Sequence, residues 1–502
     1  MDSPTIPNTI FNQIPSDGLP SGFMAEVDAT LAGTYTGDQP ALLIGQMLAT
    51  GTATAGERII VPGNGTNAAA LFGAGSQLAL MVERFRARNQ TTTLYAVPMA
   101  DPAGVAATLD VTVTGTATAS GYINLHVGAT RVRARVLTGA TAATVATAIA
   151  AAITAESALP VTATADAGVV TITARGTGSY GNAIRVQLNR LGLLGNESTP
   201  AGLSVAIPDD GYLADGAGEP DQTLAVIALG DEDIPHVGMP WTDTTSLDAW
   251  ADETLSRWHP LRMLYGRVYS ARRGSLSEVL AFGAARNDPH ISVMWAPGVD
   301  PDWLDTAGYC AIAARSLANH PARPLQTLDW GAADPGEKLV WSDRHAALAA
   351  GVATWNRSTS GAVTIDRAVS TYTQSAGGLT DNAWRDITTS ATVERILREL
   401  RFAMERQWID TRCVLVDDGT PIHPLVPHAT PRRVKASLIA HYRNLEFKGF
   451  TEREREFVDR LQVGRDPDYP TRLIVYYPPD LANPLIQLDI QVGFSLQFAS
   501  AA

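Results

Sequence analysis

The chain has 502 residues, 45% of them hydrophobic and 18% charged, with a net charge of −13 and only two cysteines, Cys310 and Cys413. That length supports several domains of roughly 100–200 residues. The acidic balance argues against wholesale binding to phosphate backbones, and two thiols exclude a disulfide framework or a multi-cysteine zinc site. No charged region followed by an apolar run opens the sequence, so no secretion signal is expected. The most membrane-like stretch, 141–155, is built from Ala and Thr and falls short of the ~20 residues needed to span. A soluble multi-domain protein of a reducing compartment, or of a particle assembled there, is expected. Of the 38 basic residues only Lys338, Lys435 and Lys448 are lysine.

Pro4, Pro7, Pro15 and Pro20 among Ile6, Ile10, Phe11 and Ile14 rule out a helix and predict an extended arm over 1–22. Phe23, Val27 and Leu31 then lie on one side of a period-two pattern, a half-buried strand. A strand at 41–48, a helix over 67–88 and a strand at 92–97 predict an α/β segment running to residue 102. From 103 to about 182 the chain turns rich in Ala, Thr, Val and Gly and reads as a β-rich inserted domain. Strands are expected there at 109–114, 122–127, 132–137, 161–164 and 169–174, with one helix carrying Val145, Ile149 and Ile153 on a stripe. Low charge and small residues suggest a knob that decorates the outside of an assembly.

The α/β rhythm resumes over 183–378. Strands are predicted at 225–229, 266–268 and 291–295, and helices at 247–258, 276–285, 303–318 and 344–350. A Gly/Ser/Thr-rich patch near 373–380 marks a boundary to a last domain, 379–484. Its first helix, 391–408, stacks Val393, Ile396, Leu397, Leu400 and Met404, with Glu394–Arg398 and Arg401–Glu405 on the wet side. Thr430 and Pro431 open a helix through Val434, Leu438, Tyr442 and Leu445. Arg432, Arg433, Lys435, Arg443 and Lys448 make that stretch basic in an acidic chain. Thr451 with Glu454 predicts a capping box for the next helix, and a strand follows at 473–477. In the segment 485–502, Ile486, Leu488, Ile490, Val492, Phe494, Leu496 and Phe498 alternate with mostly polar residues over 13 positions. A typical strand has about 5–6.

Motifs for chemistry fail one by one. The G-x-G-x-x-G run at 176–181 is followed by alternating Ile184, Val186 and Leu188, a strand where a bound dinucleotide needs a helix N-terminus. Gly63-Asn64-Gly65 lacks the lysine of a phosphate loop. No G-x-S-x-G occurs, and His423 and His428 do not share a helical face as zinc ligands would. The acidic runs at 209–210, 231–233 and 417–418 read as turn decoration. No cofactor and no metal is expected. A hydrolase would need a nucleophile–base pair, and none is visible.

Five runs, taken in order, resemble the tail sheath proteins of Mu-like contractile-tailed phages, part of the contractile injection system sheath family. They are ALFGAGSQLALM at 70–81, GSYGNAI at 178–184, PARPLQ at 321–326, GAVTIDR at 361–367 and the terminal block 463–498. The resemblance covers nearly the whole chain. It implies a multi-domain α/β (α+β) fold: a subtilisin-like α/β domain without a working protease triad, a β-rich outer insertion, and a C-terminal domain facing an inner tube. It further implies a non-enzymatic virion protein, assembled in the host cytoplasm, whose extended N- and C-terminal arms add strands to sheets in neighbouring subunits. The positions implied for that exchange are Phe23, Val27, Leu31 and the seven alternating residues Ile486 to Phe498. The implied partners are further copies in stacked helical rings, the tail tube protein, and baseplate and tail terminator proteins, with no direct nucleic acid and no membrane insertion. Contraction of the sleeve would drive the tube through the host envelope. Another catalytically silent virion protein, a tail tube or capsid subunit, is the alternative.

Overall fold

The computed structural model describes residues 39–494, apart from 64, 66 and 424. The expected arm, the expected strand through Phe23, Val27 and Leu31, and the final alternating positions Leu496 and Phe498 lie outside the described residues. The described chain opens with β1, Ala41–Gln46, buried along its whole length. Ala41 and Leu43 enter one core cluster, Leu42 and Ile44 another. Successive side chains of a strand point to opposite faces, so β1 is covered on both, which is why it reads as an unbroken apolar run.

Next come β2 (Ile59–Val61), α1 (Ala68–Phe72), α2 (Gln77–Arg88) and β3 (Leu94–Met99). The single helix expected over 67–88 is therefore two. Gly73 and Gly75 take φ of +87° and +75°, a region that side-chain-bearing residues avoid. The Ser76 hydroxyl then restarts the helix by accepting from the Ala79 N–H at 3.1 Å.

The β-rich region comprises β4 (Thr108–Gly115), β5 (Gly121–Val127), β6 (Thr130–Val136), α3 (Ala142–Ala155), β7 (Val161–Asp166), β8 (Val169–Ala174), β9 (Val186–Leu188) and β10 (Leu203–Ala206). They form two sheets, in the orders β10-β4-β8-β7 and β6-β5-β9. Val145, Ile149 and Ile153 of α3 are buried. The composition shift near 182 falls inside these sheets, because β9 and β10 lie beyond it and pair back to β5 and β4. The two ends of the region meet where Val105 bridges Ala217.

The frame resumes with α4 (Gln222–Leu229), β11 (His236–Gly238), α5 (Thr244–Trp258), β12 (Arg267–Arg272), α6 (Leu276–Ala284), β13 (Ile291–Trp295) and α7 (Asp302–Asn319). The sheet order is β13-β12-β11-β1-β3-β2, parallel except for the antiparallel edge strand β2. Helices α2 and α7 cover one face; α4 and α5 cover the other. The expected strand at 225–229 is instead α4. Asp221 caps it by accepting from the Thr223 N–H at 2.9 Å, and Ala225 and Leu229, one turn apart, are its buried apolar residues. Short apolar runs fit both periods, and here the cap decides.

Then follow α8 (Trp341–Ala349), β14 (Thr354–Arg357), β15 (Val363–Arg367) and α9 (Ile387–Met404), which ends in a π turn over Glu405–Ile409. The last part holds β16 (Val414–Leu415), β17 (His428–Ala429), α10 (Pro431–Phe447), α11 (Glu454–Arg460), β18 (Gln462–Arg465) and β19 (Leu473–Tyr476). Thr430 caps α10 as expected. The expected capping box at Thr451 does not form. Arg453, at φ +58°, precedes α11, and the Glu454 N–H donates to the Glu446 carboxylate. Thr451 pairs instead with Leu481. Among the described residues no helix is long and apolar enough to cross a membrane, and no three His, Cys, Asp or Glu side chains cluster as metal ligands.

Candidate assembly surfaces

The C-terminal tail is held as far as Ala482, whose N–H donates to Phe450 O at 3.0 Å. One further tether follows, from Gln326 Nε2 to Ile486 O at 2.8 Å. Beyond it the tail joins no strand as far as Phe494. Leu488, Ile490, Val492 and Phe494 stand 72–86% exposed. Large apolar side chains at every second position, on a backbone with unpaired N–H and C=O groups, make a strand without a sheet. Close by in the chain, β18 and β19 form a sheet of only two strands, on which Ile474, Val475 and Tyr476 are exposed. One face of the hairpin packs on α10 through Val463 and Leu473, and its edge is where a further strand could add.

The five basic residues of the α10 stretch do not share one face. At about 100° per residue, Arg432, Lys435 and Arg443 line up along one side of the helix, while Arg433 is turned away. The Arg433 guanidinium sits 5.7 Å from the Trp408 ring centroid and donates to His428 O. Arg443 pairs with Glu454 at 2.7 Å on the surface. Lys448 reaches inward to Glu399 at 2.8 Å.

The third feature is one that local sequence patterns missed. Glu394 and Arg398, expected on the wet side of α9, are buried. Arg267, at the start of β12, donates to Glu394 and, through Nε, to Ser390 Oγ at 3.1 Å. Arg398 donates to the other Glu394 oxygen at 2.9 Å, to Asp233, and to Leu264 O at 2.8 Å. This ionic chain fastens α9, and the C-terminal part that follows it, to the end of the parallel sheet. Burial opposes ionisation of Glu394, but the guanidiniums of Arg267 and Arg398 outweigh it and hold the carboxyl below its ordinary value. The only local signal was the i,i+4 spacing, which an exposed pair shares; Arg401–Glu405, on the same helix, is such a pair.

Two histidines lie beside this charge. Burial, and next Arg267, push His236 and His290 down to about 3, with Glu394 opposing. His290 stacks on Trp258, ring centroids 4.3 Å apart. Both stay neutral when folded and would take a proton near the ordinary value of 6.5 when unfolded. The unfolded state therefore binds more protons, and stability falls as the pH drops below 6.5. At about pH 5 the expected loss is about 2 kcal/mol for each, about 4 for the pair. Urea titrations between neutral pH and pH 5 measure it. The same loss in a His236→Gln, His290→Gln variant would refute the assignment.

Residues 215–371 match the family model for the phage tail sheath protein central domain. The Mu-like prophage FluMu tail sheath protein of Haemophilus influenzae is 34% identical over 479 residues, covering 94% of this chain and 96% of that protein. The chain belongs to the phage tail sheath family. It is a structural subunit of a contractile tail sheath, in a family whose role is structural rather than enzymatic. Solved sheath tail proteins from Desulfitobacterium hafniense and Listeria innocua resemble it at 13% and 12% identity, both with a TM-score of 0.48. The first match covers 93% of this chain and 97% of that one, the second 89% and 92%. Within a sheath subunit the exposed tail, the short hairpin and the basic helix are surfaces open to other chains.

Proposed function

We propose that the subunit polymerises by strand exchange. The segment from Ile486 to Phe498 adds to the β18–β19 hairpin of a neighbouring copy, and the N-terminal strand through Phe23, Val27 and Leu31 makes a second link. Strand addition supplies backbone hydrogen bonds, and side chains at alternate positions supply selectivity. The observation that carries this reading is the tail, apolar at every second position and unpaired as far as Phe494.

In this reading the parallel sheet and its helices are the subtilisin-like frame, the β-rich region projects outward, and residues 379–484 face the tail tube. The sleeve meets baseplate and tail terminator proteins at its ends, assembles in the host cytoplasm, and shortens to drive the tube through the envelope. Arg432 and Arg443 are exposed on the same side of α10 and offer an acidic tube its contact. An Arg432→Glu, Arg443→Glu variant is expected to fold and form empty sleeves while losing most of its co-sedimentation with the tube. Wild-type co-sedimentation would remove α10 from the tube contact.

A further inference from the structure

We infer that the outer face of the β6-β5-β9 sheet docks, through its arginines, on the acidic 209–221 segment of a second copy of this chain. The inference rests on the polymeric reading above and names one of its contacts. Along β6, Val132, Ala134 and Val136 turn inward while Arg131, Arg133 and Arg135 point out. The strand repeat sets the three arginines in a row, about 7 Å apart. Arg131 is held at its inner edge by Glu197 at 3.2 Å. Arg133 lies over the Tyr122 ring, 4.0 Å from its centroid. Neither Arg133 nor Arg135 forms an ion pair among the described residues. In a chain of net charge −13, Arg133 and Arg135 stand as an uncompensated basic pair.

The loop over the same sheet face is constructed. The buried Glu197 carboxylate meets His126 Nε2 at 2.8 Å and accepts from the Leu191 N–H at 2.9 Å. That clamp holds out Leu193, 88% exposed, and Leu194, fully exposed. An apolar tip beside a row of guanidiniums has the make-up of a protein contact: arginine is favoured at interfaces and pairs carboxylates through its planar fork.

The complement lies on the same chain. Residues 209–221 hold five acidic side chains and no basic one. Asp210, Asp215 and Glu219 are exposed and form no ion pair among the described residues. Their placement matters. β6 is one edge of its sheet and β9 the other, and the bridge between Arg185 and Tyr212 lays the acidic segment alongside the chain entering β9. The acidic segment thus lies beyond the β9 side of the sheet, between the chains entering β9 and β4, away from the arginines on the β6 edge. A copy does not neutralise its own arginines, and successive copies can meet head to tail, the geometry of an open helical polymer. Such a contact acts chiefly on the rate and register of assembly.

The test follows polymerisation of the full-length chain by light scattering and electron microscopy, at low and high salt, with circular dichroism to verify folding. An Arg133→Glu, Arg135→Glu variant is expected to polymerise about tenfold more slowly at low salt, as is Asp215→Arg, Glu219→Arg. The variant carrying all four changes is expected to recover. Should the glutamates disturb the fold, Arg133→Gln with Arg135→Gln removes the charge alone and is expected to slow assembly at low salt and not at high. Wild-type rates in both reversal variants would overturn the contact while leaving strand exchange intact. So would slow assembly without recovery in the four-fold variant, an outcome that assigns the two patches to different surfaces within the polymer. A wild-type chain that forms no sleeves would overturn the polymeric reading itself, and this contact with it.

Discussion

A chain ended after Pro484 is expected to fold as the full protein does and to form no sleeves. Among the described residues, the tail beyond that point gives the body of the subunit little: a single hydrogen bond from Gln326 to Ile486 O, with apolar side chains left in solvent. Its removal therefore leaves the cores and the ionic chain untouched, and the urea midpoint is expected to move by less than about 1 kcal/mol. Polymerisation, in contrast, is expected to vanish, since the strand that would pair with β18–β19 is gone. Analytical ultracentrifugation and electron microscopy of the truncated chain measure both halves. Normal sleeves would refute strand exchange through this tail.

Glu394→Gln is expected to be the most damaging single substitution described here. Arg267 would keep Ser390 and lose its carboxylate, and Arg398 would keep Asp233 and Leu264 O. Breaking a buried pair by neutralising one partner costs about 3–5 kcal/mol, because the remaining charge stays in a poorly hydrated place. Glu405→Gln, on the same helix, breaks only the exposed pair with Arg401 and is expected to cost less than about 1 kcal/mol. The contrast in urea unfolding is the test, and equal losses would show that the buried chain adds nothing. Hydrogen exchange is expected to rise in α9 and in the start of β12, the two elements that the chain joins.

What could be read from the sequence follows from the range of each interaction. β8 and β13 begin and end where expected, because each is a short run, β-branched in β8 and of mixed Ile, Val, Met and Trp in β13, bounded by turn residues. The stripe on α3 and the Thr430 cap were legible for the same reason: every partner lies within a few residues. The break at Gly73 was hidden by apolar residues on both sides that share one helical period. α4 reads as a strand because the six residues of Ala, Leu, Val and Ile over 224–229 satisfy either pattern. The inserted region was sized by composition, yet β9 and β10 pair across long stretches of chain. Most telling is Glu394, whose burial depends on Arg267, 127 residues away. No local window contains that partner. The family could be read from ordered runs spread over the chain. The face that carries Arg432 and Arg443 follows from helical geometry alone. The uncompensated state of Arg133 and Arg135 required knowing every carboxylate that folding could have brought near.

The unpaired tail also bears on where an assembly ends. In the proposed exchange each subunit gives one C-terminal strand and receives one on its hairpin, and within a subunit the tail stays off the hairpin as far as Phe494. A row of such subunits keeps one ungiven strand at its first member and one unfilled hairpin at its last, however long it grows. The two extremities of the row are therefore chemically different, and growth has a direction. Whatever protein starts such a row must present the missing half of one pairing, and whatever stops it the missing half of the other. A single terminator could not serve both ends. Free subunits also expose an apolar strand until they are placed, in which Asp489 is the one charged residue that opposes indiscriminate pairing.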